Sequence, residues 1–302
     1  MSRSTDHGAA PAVRLAGLEL GGTKGIAVLA AGERIVERVV VPTTTPAETL
    51  EPLLDAVAGW HAADKLHALG IAAFGPVRLD PAAPDYGRVL TTPKPSWSGA
   101  ALLDMVAARF SGPVALDTDV NAAALAEHRW GAGRGCSTLI YLTIGTGVGG
   151  GVLVDGRPVH GRLHPEQGHL LLRRAPGDGF AGACPFHGDC IEGLVSGPAL
   201  ARRFGAPPAG VAADDARWRP VAHDLAQWFA AMIQVLSPER IILGGGVGLG
   251  APWLLDQAAE RVPALLAGYV ADLDMPRLIV PAKLGADAGP LGAVALAQAA
   301  ID

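Results

Sequence analysis

Residues 137–159, STLIYLTIGTGVGGGVLVDGRPV, carry a pattern that few folds accommodate. The opening apolar run has the length of a buried strand, and GVLVDG at 151–156 alternates as a half-buried strand does. Between them, five of the seven positions from Gly145 to Gly151 are glycine. A hairpin turn needs one or two; each further glycine costs conformational entropy on folding. The run therefore points to a loop whose backbone N–H groups lie bare for an anion such as phosphate. Gly145, Gly147 and Gly150 match G-x-G-x-x-G, the dinucleotide fingerprint. That fingerprint must open a helix, whereas this loop opens a strand, which argues against a nicotinamide cofactor. There is no Walker A match. The segment is predicted as strand, phosphate turn, strand.

The same order starts near residue 14. RLAGLEL (14–20), IAVLA (26–30) and ERIVERVVV (33–41) read as three antiparallel strands joined by short turns. The first turn, Gly21-Gly22-Thr23-Lys24, suits phosphate and, taken alone, suits an ordinary hairpin equally. Glu19, just before it, is placed to hold a hydrated Mg²⁺. A helix over 46–61, starting at Thr45 or Pro46, precedes a buried strand ending at Gly75-Pro76. A polar Pro- and Gly-rich loop over 77–99, a helix over 100–111 and the strand PVALDT (113–118) follow. In the second half a helix over 221–236 and the strand 240–243 lead to a third turn, Gly244-Gly245-Gly246. It either packs against an adenine ring or is a tight strand-to-helix turn. Helices within 251–267, a strand at 277–280 and a helix over 290–300 complete the chain. The architecture recurs without a sequence repeat. A small N-terminal domain, 12–117, with the C-terminal helix 290–302 packing back on it, faces a larger domain, 118–289, that carries an insertion at 160–196. Such a cleft is where ligands bind.

Composition excludes several classes. The net charge of −5 with no basic block gives nucleic acid no footprint. No apolar run approaches the ~18 residues of a membrane span. The start, MSRSTDHGAAPAVRLAG, lacks a secretory h-region and reads as a loose tail of about ten residues. Three cysteines, an odd number, point to a reducing, cytoplasmic setting. The abundance of Ala, Gly and Pro reads as genome composition.

Two clusters carry chemistry. Asp119, at a strand end running into the helix AAALAEHRWG, suits either a helix N-cap or a general base taking a hydroxyl proton. Cys184-Pro-Phe-His187-Gly-Asp-Cys190 packs three soft ligands into seven residues, and His169 can close a tetrahedron. Buried thiols with surface histidines are the bland alternative; the polar, Gly/Pro-rich segment offers no core for thiols, which favours zinc. With four protein ligands such a site is structural. Glu166, His169 and Glu192 in the same insertion suit sugar hydroxyls. His7, His160 and His164 read as surface histidines, and Cys136 as a core residue.

With these motifs in order, the chain resembles the ROK family (repressor, open reading frame, kinase). Glu19-x-Gly-Gly-Thr-Lys24, Asp119-Val-Asn121, the Gly145–Gly151 loop, Glu166-Gln-Gly-His169, the Cys/His cluster and Glu192-Gly-Leu span nearly all of it. CPFHGDC, Phe74-Gly75-Pro76, Thr92-Pro93-Lys94 and His164-Pro165-Glu166 resemble the fructokinase branch. The resemblance implies an α/β fold of two actin-like (ribonuclease H-like) domains around a central cleft. It also implies ATP-dependent phosphorylation of a hexose, D-fructose first, with mannose and glucose as alternatives. Asp119 is then the base for the 6-hydroxyl. Thr118, Glu166, His169 and Glu192 line the sugar site, with Gly75, Pro76, Lys94 and Trp97 closing on it. Gly21 to Lys24 and Gly145, Thr146, Gly147 and Gly149 hold phosphates of ATP with Mg²⁺, and Gly244 to Gly246 its adenosine. His169 serves sugar and zinc together. Thr118, where glucose-type members carry Asn, argues against glucose. Gln167 stands where the branch often has Met. A homodimer is the family's assembly. A repressor would need a helix-turn-helix ahead of the first strand, and about a dozen residues are too few. A silent sugar-binding protein would need neither Asp119 nor the phosphate glycines.

Overall fold

The computed structural model describes residues 13–302; the expected loose tail and His7 lie outside the described residues. The first three strands, β1 (Arg14–Leu20), β2 (Lys24–Ala31) and β3 (Arg34–Pro42), pair antiparallel as their alternation predicts. Helix α1 (Pro46–Ala63) begins with a capping box, in which Thr45 and Glu48 satisfy each other's backbone N–H. It returns the chain so that β4 (Ala68–Ala73) pairs parallel to β1. After α2 (Leu102–Ala107), shorter than the sequence suggests, β5 (Val114–Thr118) adds at the edge.

Helix α3 (Asp119–Trp130) leads to the second sheet: β6 (Leu139–Ile144), β7 (Val148–Val154) and β8 (Arg157–Pro158). The insertion follows, then α4 (Ile191–Val195), α5 (Gly197–Phe204) and the long α6 (Trp218–Leu236). Strand β9 (Arg240–Gly244) runs into α7 (Gly245–Gly250), and the expected 251–267 helical stretch divides into α8 (Pro252–Ala259) and α9 (Val262–Leu266). The strand expected at 277–280 starts later. Asp274 caps a short α10 (Met275–Leu278), and only β10 (Ile279–Pro281) is extended. Helix α11 (Ala288–Ala299) ends the fold.

The sheet orders β3-β2-β1-β4-β5 and β10-β9-β6-β7-β8 are the same topology twice, with β6 in the place of β1 and β9 in the place of β4. Between the sheets lie α11, against β1 and β4, and α3, against β6 and β7. A Cβ on Gly17 would meet Ala293, one on Gly292 the Ala122 carbonyl, and one on Gly151 the Val120 carbonyl. Sheet, helix, helix and sheet thus stack at a separation only small residues allow. Many of the glycines and alanines read as genome composition are packing requirements. The outer faces carry ordinary cores: Leu50, Leu53 and Val57 of α1 below the first sheet, Trp228 and Phe229 of α6 below the second.

Gly70 is the tightest point of the stack, since a Cβ there would lie 1.8 Å from the Ala293 oxygen and 2.6 Å from the Ala297 nitrogen. Overpacking costs about 1–3 kcal/mol when side chains can yield. Here backbone must move, so Gly70→Val should exceed that range in a denaturant melt, while Gly59→Ala, on open helix surface, should raise the midpoint by the equivalent of up to about 1 kcal/mol.

Candidate active site

The carboxyl ends of β1, β4, β5 and β6 converge on one cavity of about 800 Å³ between the two sheets. Ligands in open α/β sheets lie at this end of the strands. Both glycine turns reach it: Gly21, Gly22, Thr23 and Lys24 from one side, Gly145, Thr146, Gly147 and Gly149 from the other. The Gly145 loop opens strand β7, which removes the dinucleotide reading.

Asp119 lies between the turns. The N-cap of α3 is not Asp119 but Thr118, whose hydroxyl accepts from the Asn121 N–H at 3.2 Å. This leaves Asp119 at the first helical position with its carboxylate on the cavity; Oδ1 accepts from the Val120 N–H at 2.9 Å. Burial pushes the Asp119 carboxyl up to about 6, against the lowering pull of the Val120 N–H and Lys94. Thr118 lines the cavity too, with one hydroxyl lone pair used as the cap.

Glu19 borders the cavity beside the Gly21–Lys24 turn, and burial, then repulsion from Asp119, raises it to about 7. A desolvated carboxyl beside another, with Lys24 and Arg38 compensating only in part, is an environment a divalent cation satisfies. Lys94 donates to the Gly22 carbonyl at 2.7 Å and lies 4.6 Å from the Phe74 ring centroid, so it ties the 91–97 loop to the first glycine turn. Trp97 does not line the cavity. Its ring is buried edge-on against Phe74, and its Nε1 donates to the Thr44 carbonyl at 2.7 Å, so it supports the loop from beneath.

Opposite, Glu166, His169 and Glu192 line the wall. Burial, then the charges of Asp119 and Glu192, raise Glu166 to about 7. Glu192 accepts from the Val148 N–H at 3.1 Å, joining this wall to the second glycine turn. His169 faces two ways. Its Nδ1 lies 3.5 Å from Cys190 Sγ and 3.7 Å from Cys184 Sγ, while the residue also borders the cavity. His187 Nδ1 is 3.8 Å from Cys184 Sγ, and the four ligand atoms lie within 4.8 Å of one another. Tetrahedral zinc with its usual N and S bond lengths separates such donors by about 3.6 Å, so the donor set fits that ion. Contrary to the expectation that this segment has no core for thiols, Cys184 and Cys190 are both buried. Cys136 is buried as expected.

Gly244, Gly245 and Gly246 do not line the cavity. A Cβ on Gly245 (φ +83°) would lie 2.3 Å from the Ile144 oxygen, and one on Gly244 would strike the Tyr141 hydroxyl. Packing against β6 explains both glycines. Of the supposed surface histidines, His160 is exposed as expected, although it meets the buried Asp117 carboxylate at 2.9 Å, which raises its pKa; His164 is instead buried behind Glu166. Missed from sequence were Phe74, Thr91, Thr143 and Ser196 in the cavity wall; only Phe74 had a signal, standing next to Gly75.

The family model described as ROK family matches residues 15–300. The fructokinase of Zymomonas mobilis is 43% identical, with the match covering 94% of this chain and 96% of that protein. The ROK hexokinase of Thermus thermophilus superposes with a TM-score of 0.75 at 31% identity, covering 95% of this chain and 98% of that one. A ROK family glucokinase of Streptomyces griseus, solved with glucose and AMPPNP, gives 0.74 at 28% identity over 95% of this chain and 99% of the other.

Proposed function

As the chain belongs to the ROK family, we propose that it transfers the γ-phosphoryl group of ATP to a hexose, D-fructose above all, yielding fructose 6-phosphate. The observation that supports this best is the position of Asp119, between two phosphate-binding glycine turns and a wall of sugar-binding side chains. Phosphoryl transfer needs positioning and charge stabilisation more than covalent chemistry, and this cavity offers both.

The sugar lies against Glu166, His169 and Glu192, with Gly75 and Pro76 opposite, so that its 6-hydroxyl meets Asp119. Asp119 takes the proton as the oxygen attacks in line. The N–H groups of the two turns and Lys24 hold the phosphates. The adenosine extends past Gly197, whose N–H donates to the Gly145 carbonyl at 2.8 Å, toward the start of α7 at Gly245 and Gly246. Mg²⁺, when bound with ATP, neutralises phosphate charge; Glu19 is the carboxylate placed to hold it through water. Residues 12–117 and 118–289 act as the halves that close on the substrates. Zinc, held by His169, Cys184, His187 and Cys190 in the insertion 160–196, is structural, fixing the His169 ring so that its other nitrogen meets the sugar. Thiols kept reduced for that ion suit a cytoplasmic setting, where a homodimer is the expected assembly, readable by light scattering. No helix among the described residues is long and apolar enough to cross a membrane.

Initial rates with MgATP across fructose, mannose, glucose and their N-acetylated amines test the reading. Fructose should lead. If glucose or mannose leads instead, the kinase stands and the Thr118 argument fails. If no sugar reacts, a silent sugar-binding protein takes its place.

A further inference from the structure

Among the described residues, His164 is the one cavity-lining histidine outside the metal cluster, and its side chain is only 3% exposed. Its two ring nitrogens face opposite halves of the protein. Nε2 accepts from the Val77 N–H at 3.2 Å, a buried contact made to the turn that carries Gly75 and Pro76. Nδ1 lies 3.3 Å from Glu166 Oε1.

A backbone N–H can only donate, so Nε2 must be unprotonated. In the neutral ring the proton then sits on Nδ1, the nitrogen 3.3 Å from Glu166 Oε1. Burial, the largest influence, lowers the His164 pKa and keeps the ring neutral, although Asp117 pulls the other way. One tautomer therefore satisfies both contacts, and neither the protonated ring nor the other tautomer does. With Oε1 turned to the ring, Oε2 is the freer Glu166 oxygen for a ligand hydroxyl. Gly75 seals the arrangement, since a Cβ there would lie 3.0 Å from His164 Cε1 and 3.3 Å from Glu166 Oε1.

We propose that His164 is a positioning residue for the sugar: it orients the Glu166 carboxylate and docks the Gly75–Val77 turn against it, across the two halves of the cleft. This rests on the sugar-kinase reading above. Nothing in His164 itself touches the reacting atoms; it acts through Glu166 and through the turn.

Two substitutions separate its contacts. His164→Gln places a side-chain oxygen near the Nε2 position, keeping an acceptor for Val77 while losing the donor to Glu166. His164→Asn places an amide N–H near the Nδ1 position, keeping the donor and leaving the Val77 N–H unsatisfied. The full-length protein with its metal is assayed with fructose and MgATP, fructose affinity is measured by calorimetry without nucleotide, and thermal melts are recorded. His164→Gln should raise the fructose KM and Kd about tenfold, with kcat and the ATP KM within about threefold and Tm little changed. His164→Asn should bring the fructose Kd back to within about threefold of wild type while lowering Tm. An unchanged fructose Kd in His164→Gln overturns the inference. So does a parallel loss of kcat, both KM values and Tm in the two variants, which would mark His164 as packing alone. A wild-type protein that binds fructose but phosphorylates no hexose overturns only the kinase reading, and the calorimetric comparison still decides the role of His164.

Discussion

Replacing Asp119 with Asn should reduce kcat by about 10²–10⁴-fold while fructose affinity stays within a few-fold of wild type. The amide has the same shape and can still face the Val120 N–H, but it cannot take the hydroxyl proton. The pH profile offers an independent check. Asp119 works as a base only when ionised, and its carboxyl is pushed up to about 6. Glu19, at about 7, must also be ionised to favour a cation. Wild-type kcat/KM should therefore rise through pH 6–7 and level above it, and the step set by Asp119 should be missing from the variant's residual rate. Stability should move the other way. A carboxyl whose folded pKa is raised binds a proton in the native state that the unfolded chain has released. Its contribution therefore turns unfavourable as pH rises from the unfolded value of 3.8 to about 6 and remains so above. Asp119→Asn removes that penalty, so the ligand-free variant should melt above wild type at pH 7.5. Normal turnover in the variant would refute Asp119 as the base.

Stripping the metal with a chelator should destabilise the protein more than Gly70→Val does. The insertion over 160–196 has little regular structure: a turn of 3-10 helix at Gln167–His169, isolated bridges Leu171–Cys190 and Cys184–Gly188, and the short α4 order it locally. Its anchors are the Cys/His cluster and a buried charge lattice, in which Arg203 meets Asp178 at 2.9 Å and Asp224 at 3.3 Å, with Arg174 at 2.7 Å from Asp178. Structural zinc contributes on the order of 10 kcal/mol to folding in isolated zinc-finger peptides. Here the lattice should hold part of the segment, and the loss should appear as a fall in Tm on the order of 10 °C together with a raised fructose KM, since His169 belongs to both sites. Zinc, and not magnesium, should restore both. Cys190→Ser should copy the chelated protein. A melting curve unchanged by chelation would refute a structural metal.

How much of this was readable before folding depends on range along the chain. The hairpin β6–β7 and its glycine turn were readable because alternation, turn and pairing all lie within a few residues. The same holds for the first three strands and for Cys184, His187 and Cys190, which their short spacing brings together. Where a local signal had two meanings, only the backbone decided. Thr118 and Asp119 are neighbours able to cap the same helix, and the cap fell to Thr118, which freed Asp119 for the cavity.

What the sequence by itself determined is the recurring order of elements, the two glycine turns and the grouping of Cys184, His187 and Cys190, because each rests on contacts within one element or one turn. The tertiary structure decided everything that required distant segments to meet. His164 reaches the Val77 N–H from 87 positions along the chain, and His160 reaches Asp117 from 43. Trp97 turns inward beneath Phe74 instead of toward the cavity, and Gly244 and Gly245 serve a close approach to β6. Gly17, Gly70 and Gly292 look like compositional noise until α11 is laid between two sheets. A side chain's partner across the chain is set by how sheets and helices stack, and no periodicity of a single segment encodes that distance.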